Sequence, residues 1–305
     1  PRDHGYPVVD AINAMHEGKA KVFFAMGGNF ISATPDTEYT AEALRKTNLT
    51  VHVSTKLNRS HLIHGKTGLI LPCLGRTEKD LQINGEQFVT VENSMGVVHS
   101  SKGVLKPVSY DLLSEPAIVG NLAKMTLAGR TKIDWQGMVD NYDLIRDAIE
   151  KVIPGFEDYN ERVRKPGGFY LPNGARDRKF NTASGKANFS VLPSRPWTLG
   201  EKEFLMMTIR SHDQYNTTIY GLDDRYRGII NERRVVLINE KDLRKMDLKA
   251  GDIVDIKSVF NGKKRFANKF MLVTYPIPEG CIATYFPEAN TLVPIDQFAK
   301  GSKTP

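Results

Sequence analysis

Cysteine is nearly missing from this chain of 305 residues, which carries only Cys73 and Cys281, far apart and in no CxxC-like pair. Two such residues cannot build a disulfide framework or a thiolate metal cluster, and a reducing cytoplasm is the simplest fit. Long apolar runs are missing too. None approaches the roughly 20 residues needed to cross a bilayer, so membrane insertion is not expected. The opening residues, PRDHGYPVVDAINAM, lack the basic, apolar and cleavage regions of a secretory signal. Without one, the Asn-x-Ser/Thr patterns at Asn48, Asn58 and Asn216 carry no weight. The chain also does not begin with Met, which suggests a fragment of a longer protein.

A compact basic tract with interleaved aromatics is likewise absent, because Lys and Arg alternate with Asp and Glu along most of the chain. Nucleic acid is therefore not an expected partner. The net charge of +7 fits a phosphate-bearing cofactor or an acidic protein surface instead. Two local motifs fail on inspection. Gly65-Lys66-Thr67 resembles the end of a P-loop, but Ser60 stands where that motif needs glycine, and the segment precedes a strand instead of following one. His61, His64 and Cys73 lack the fourth ligand and second spacing of a zinc site, and read as ordinary hydrogen-bonding side chains.

What is present divides by pattern. Helical spacing over Val8–Met15 and Thr37–Lys46 alternates with the β-rich runs Lys21–Met26, Leu49–Ser54 and Thr67–Leu71. That order predicts βαβ units and a parallel sheet. Ligands of such sheets gather beyond the carboxyl ends of the strands, where this chain has Gly27-Gly28-Asn29, the run Ser54-Thr55-Lys56-Leu57-Asn58, and Pro72–Arg76. Glycine there lets backbone approach a ligand closely, although a plain tight turn explains the pair as well. Helices are expected over Asp111–Leu127, despite Pro116 inside it, and over Met138–Val152. Arg164–Leu192 reads as a long loop. The last hundred residues hold five short strands, Glu203–Arg210, Arg234–Asn239, Asp252–Phe260, Lys264–Val273 and Gly280–Phe286, with one helix at Glu240–Lys245. This favours a closed or nearly closed barrel.

The stretch Phe204–Thr218, FLMMTIRSHDQYNTT, is the most informative. An apolar strand breaks without a turn signal into Arg210, Ser211, His212, Asp213 and Gln214, a donor-rich set suited to phosphate and heterocycle edges. A strand running into a solvated loop explains the same letters.

Six segments, in order, resemble the molybdopterin oxidoreductase family. They are Gly27-Gly28-Asn29 with Ser32 and Pro35-Asp36, then Gly68–Pro72 with Glu78, Phe180–Phe189 (FNTASGKANF), Thr208–Thr217 (TIRSHDQYNT), Asn239–Ser258, and Pro278–Leu292 with Asn290. LNRSH at Leu57, LPCLGRTE at Leu71 and IPGFEDYN at Ile153 are similar to the formate-dehydrogenase-like branch.

The resemblance implies an α/β fold in three parts: a partial Rossmann-like domain over 1–130 that upstream sequence completes, a helical and loop connector over 131–196, and a double-psi β-barrel over 197–305. It implies molybdopterin guanine dinucleotide with molybdenum or tungsten as cofactor, and a two-electron oxidoreductase as the parent protein. Any [4Fe-4S] cluster and the metal ligand are expected upstream, so neither a catalytic nor a metal-binding residue is assigned here. The chain alone is expected to be inactive, its partners being its own upstream part and a redox partner. By motif, Arg210, Ser211, His212 and Gln214 would meet pterin and phosphates, and Asn290 a pterin edge. Gly27, Gly28, Asn29, Thr55, Lys56 and Asn58 would hold a second dinucleotide. The alternative is a non-redox module binding some other anionic ligand or a protein.

Overall fold

The computed structural model describes residues 4–193, 196–217 and 219–304, so Thr218 at the end of the stretch singled out above lies outside the described residues. Helix α1 (Val8–His16) buries Val9, Ile12 and Met15, spaced to face one side. Strand β1 (Val22–Met26) leads through α2 (Phe30–Ala33) and α3 (Thr37–Arg45) into β2 (Leu49–Ser54). The two strands pair in parallel, Val22 opposite Leu49 and Met26 opposite Val53, which is the βαβ unit read from the sequence. Strand β3 (Thr67–Pro72) lies on the far side of β2. One side of this sheet is packed by Phe23 against the core of Ile12, Ile31 and Leu44. On the other side Val22, Phe24 and Met26 are exposed.

The stretch that follows is a separate compact unit. It holds two hairpins, β4 (Asp80–Gln82) with β5 (Gly85–Gln87) and β6 (Val89–Glu92) with β7 (Val97–Ser101). Helices α4 (Glu115–Thr126), α5 (Trp135–Asp140), α6 (Asp143–Val152) and α7 (Tyr159–Arg162) come next, and β8 (Phe169–Tyr170) returns to β7.

Two expectations need correcting. The first of the two helices starts at Glu115 instead of Asp111, because Ser114 caps it and Pro116 occupies its first turn, where no intrahelical N–H is required. The second is two helices, since the Asn141 side chain accepts from the backbone N–H of Asp143 at 3.0 Å and starts α6 afresh. Glu78 serves its own loops, accepting from the N–H groups of Gly75 at 2.6 Å and Val108 at 2.9 Å.

Strands β9 (Leu205–Ile209), β10 (Val235–Ile238), β11 (Ile253–Phe260), β12 (Lys263–Thr274) and β13 (Cys281–Tyr285), with helix α8 (Glu240–Lys245) after β10, form a five-stranded sheet in the order β11-β12-β10-β13-β9. Among the described residues no ladder joins β9 to β11, so the closed or nearly closed barrel expected is present as a half-barrel. Its centre is buried on both faces. Val236 and Ile238 pack with Leu243, Phe270, Leu272 and Leu292, while Val235 and Leu237 pack with Ile229, Ala283 and Tyr285. Continuous burial is why β10 reads as the unbroken apolar run VVLI.

By contacts the chain divides into Pro1–Leu71 with Arg195–Pro305, and Pro72–Ser194. Within the first unit the α/β half is fastened to the half-barrel at three places. Asp36, held at φ +47, accepts from Arg265 at 2.6 and 3.1 Å, and its own N–H donates to the Val293 carbonyl at 2.9 Å. Asn290 Nδ2 donates to the Ser32 carbonyl at 2.7 Å. Ile295 enters the core around α1 and α3.

Both members of the Asp36–Arg265 pair are about nine-tenths buried. Removing one strands the other, so Asp36→Ala is expected to cost about 3 kcal/mol in urea unfolding. A loss below about 1 kcal/mol, the range of exposed pairs, would show that the fastening does not depend on this pair.

Candidate functional site

Two loop clusters sit beyond the carboxyl ends of parallel strand pairs. The first follows β1 and β2. Gly27 and Gly28 both have positive φ, at 66° and 72°, and an added Cβ on Gly28 would meet nothing within 4 Å. The backbone there is open on the side a ligand would approach.

Asn58 is turned inward. Its Nδ2 donates to the Gly28 carbonyl at 2.8 Å, and its Oδ1 accepts from the N–H of Ser60 at 2.9 Å, starting the 3-10 turn Arg59–Leu62. Asn29 is buried, and its Oδ1 accepts from the Ser60 hydroxyl at 2.9 Å. These two amides therefore lock one loop to the other. Thr55 and Lys56 are exposed, and the Lys56 ammonium has no partner among the described residues.

Beneath this cluster His52 and His61 lie with ring centroids 4.9 Å apart. His61 Nδ1 accepts from the Asn58 N–H at 3.0 Å, and the Nε2 atoms of both rings are buried without a hydrogen-bond partner. Burial first, and then His61, pushes the proton affinity of His52 below its ordinary value.

The second cluster follows β9 and β13, which run in parallel with Ile209 opposite Tyr285. The Arg210–Gln214 loop therefore lies beside Phe286–Asn290. The residue that joins them is one that the sequence reading missed. Arg233 is 4% exposed. Its Nε donates to Glu288 at 2.8 Å, Nη1 to the Ser211 hydroxyl at 3.1 Å, and Nη2 to Gln214 Oε1 at 3.0 Å and the Phe286 carbonyl at 2.9 Å. The guanidinium also lies 4.4 Å from the Tyr220 ring and 4.7 Å from the Tyr285 ring. Gln214 completes the link by donating to the Phe286 carbonyl at 2.8 Å and the Asn216 carbonyl at 2.7 Å. Ser211 and Gln214 thus spend their hydrogen bonds within the protein.

Arg210 spends none, and His212 commits only one ring nitrogen. Arg210 is exposed, its guanidinium 5.6 Å from the Phe286 ring and without a hydrogen-bond or ion-pair partner among the described residues. His212 is 44% exposed, with Nδ1 3.1 Å from Oδ1 of buried Asp224. Asp224 Oδ2 accepts from Arg227 at 2.5 Å and from the Tyr285 hydroxyl at 2.9 Å. Burial works against ionisation of Asp224, but the bonds from Arg227, Tyr285 and His212 outweigh it and hold the carboxyl below the usual range. Burial and the same carboxylate push the Tyr285 hydroxyl up.

Asn290, placed with this cluster by the sequence, is the buried link to Ser32 already described, so one side chain reaches from the second cluster to the helix that follows the first. The two cysteines take no part. Burial pushes the Cys73 thiol up to about 11. Among the described residues no three His, Cys, Asp or Glu side chains converge to hold a metal ion, and no helix is long and apolar enough to cross a membrane.

Residues 204–305, the segment carrying the second cluster, match the family model of the molydopterin dinucleotide binding domain. The last hundred residues of the chain thus belong to that domain family. An uncharacterised oxidoreductase of Mycobacterium tuberculosis is 51% identical over the whole chain, and protein YdeP of Escherichia coli is 44% identical over 97% of it. A nitrate reductase of Shewanella frigidimarina is 25% identical over 87% of the chain. The chain spans 40% of the length of the first two and 30% of the third. In fold it is similar to acetylene hydratase from Pelobacter acetylenicus, with a TM-score of 0.58 and 17% identity over 91% of this chain and 39% of that one.

Two outcomes follow from this geometry. His52 binds a proton more weakly folded than unfolded, so its contribution to stability is complete above the unfolded value of about 6.5 and is lost as pH falls through the lower folded value. Thermal unfolding at about pH 7 and pH 5 should therefore show an acid loss that shrinks in His52→Phe. An undiminished loss would place it on other groups. Arg233→Met leaves the half-buried Glu288 without its partner and empties the buried loop network, and should cost about 3 kcal/mol in urea unfolding. A cost under about 1 kcal/mol would mean that the loops hold each other without it.

Proposed function

We propose that this chain is the cofactor-binding portion of a formate-dehydrogenase-like oxidoreductase that uses two molybdopterin guanine dinucleotides, and that its half-barrel belongs to the double-psi barrel of that family. The observation that carries the reading is the contrast around Arg233. A buried, saturated network fixes the loops after β9 and β13, while Arg210 and His212, on the same loop, stand outward with capacity to spare.

The donor set fits such a ligand. An unpaired guanidinium suits a phosphate oxygen, because charge-assisted bonds to phosphate are roughly twice as strong as neutral ones. The open backbone at Gly28, with the free Lys56 ammonium and Thr55 hydroxyl nearby, offers the second cluster of donors that a second dinucleotide needs. In this reading Asn29, Asn58, Ser211, Gln214 and Asn290 keep those donors in place from within. When bound, the cofactor would supply a molybdenum or tungsten centre able to exchange two electrons. The metal ligand, any iron-sulfur cluster and the contact with a redox partner belong to the rest of the parent protein. The fold alone does not set the reaction class, since the solved neighbour is named a hydratase.

The test is pterin content per protein, read as fluorescence after oxidative release, beside thermal unfolding. Arg210→Ala should lose most of its pterin with stability unchanged within about 0.5 kcal/mol, and Arg210→Lys should recover only part, because a planar fork becomes a point charge. Normal pterin with lost stability would make Arg210 a structural residue. The chain by itself should show no turnover of formate, nitrate or sulfoxides with artificial electron carriers. Turnover that depends on Cys73 or Cys281 would overturn the assignment.

A further inference from the structure

Asp224 is a buried ionised carboxylate for which the proposed function finds no use, and its three donors are divided unequally between its oxygens. Oδ2 takes the Tyr285 hydroxyl at 2.9 Å and Arg227 at 2.5 Å, leaving Oδ1 for His212 Nδ1 at 3.1 Å. An ionised carboxylate only accepts, so Nδ1 must carry the proton. Arg227 Nη1 also lies 3.4 Å from Nδ1. A bond in that direction would require a lone pair on Nδ1, and would turn that lone pair toward the carboxylate as well. Arg227 Nη1 already donates to Asp224 and to the Arg210 carbonyl at 3.1 Å, which uses both its hydrogens, so the closer pairing with the carboxylate decides the tautomer. The ring is steadied on a further side by Tyr226, centroids 4.4 Å apart and tilted by 37°.

With the proton on Nδ1, the atom that neutral His212 offers outward is the bare Nε2, an acceptor. We infer that Asp224 is a positioning residue that fixes the tautomer of His212, so that His212 meets its ligand through an N–H or O–H of the ligand and not through a phosphate oxygen. Phosphate is left to Arg210, which always donates. The two outward residues of this loop then read opposite features of one ligand, the guanidinium its anionic oxygens and the imidazole a hydrogen on its heterocycle or sugar. This rests on the reading of the site as a pterin dinucleotide site. It changes what His212 recognises there.

Asp224→Asn tests the inference sharply. The amide oxygen will stay where Tyr285 and Arg227 donate, which puts the NH2 group against Nδ1 and forces the proton to Nε2. Nitrogen-15 NMR of the His212 ring in the full-length protein, produced without its cofactor, should show Nδ1–H in the wild type and Nε2–H in Asp224→Asn. Wild-type Nε2–H would overturn the inference without any variant.

Asp224→Asn expressed as the full-length protein should hold about tenfold less pterin, the effect of one hydrogen bond turned donor against donor. Inorganic pyrophosphate binding, which this reading assigns to Arg210, should be unchanged. If Asp224→Asn does not fold, His212→Phe keeps the ring on Tyr226 and leaves Asp224 its two other donors, and it should show the same pterin loss. Full pterin in a folded variant, or a matching loss of pyrophosphate binding, would overturn the inference. A full-length wild type without pterin would instead overturn the reading of the site, and the NMR assignment would still stand on its own.

Discussion

The candidate site depends on a single buried guanidinium. Parallel strands end side by side, but nothing in a ladder dictates where the loops beyond it go. The last backbone bond of the β9–β13 pair is donated by the Phe286 N–H to the Ile209 carbonyl at 2.7 Å. Beyond it Arg233 takes over, binding Ser211 and Gln214 on one loop and Phe286 and Glu288 on the other. A buried cation is expensive to hold unless its donors are met, and the planar fork of arginine can meet several partners at once. The same bonds that satisfy the charge also fix the two loops, so desolvation and positioning are solved by one residue.

This arrangement separates side chains that hold the loops from side chains that face outward. Ser211 and Gln214 alternate with Arg210 and His212 along one short segment, the first pair turned into the network and the second out of it. At the other cluster Asn29 and Asn58 are turned inward beside open glycine backbone and the exposed Thr55 and Lys56. In both places a neutral polar side chain binds loop to loop while backbone or a cation is left available. Asn290 extends the pattern, since its amide joins the loop after β13 to α2.

Much of the fold was legible in the sequence, because periodicity is a local property. The strands of the βαβ unit, the helix after β10 and the five strands of the half-barrel all fall where their apolar runs stand. The helix boundaries misread were those set by single residues, Ser114 capping α4 before Pro116 and Asn141 ending α5 in an extended conformation while its side chain accepts from Asp143, which divide segments that periodicity alone runs together. Barrel closure was not legible, because strand count says nothing about which edges meet.

The two loop clusters were legible in the sequence as loops after strands, and which of their side chains turn inward was not. Arg233 and Arg234 are neighbours of identical chemistry, yet one is buried against Glu288 and the other donates to the Asn268 carbonyl at the surface. Nothing local tells them apart, since the hydrogen-bond partners of Arg233 outside its own turn lie 12 to 55 residues away. Strand direction contains the only available hint. Arg233 stands two residues before a run buried on both faces, so a polar side chain entering there must find partners or be excluded. The same reasoning applies to Asp224, whose donors come from residues 212, 227 and 285. A sequence can thus show that a loop carries ligand-type residues, while the division between residues that bind and residues that hold them is made by long-range contacts, and only the fold reveals it.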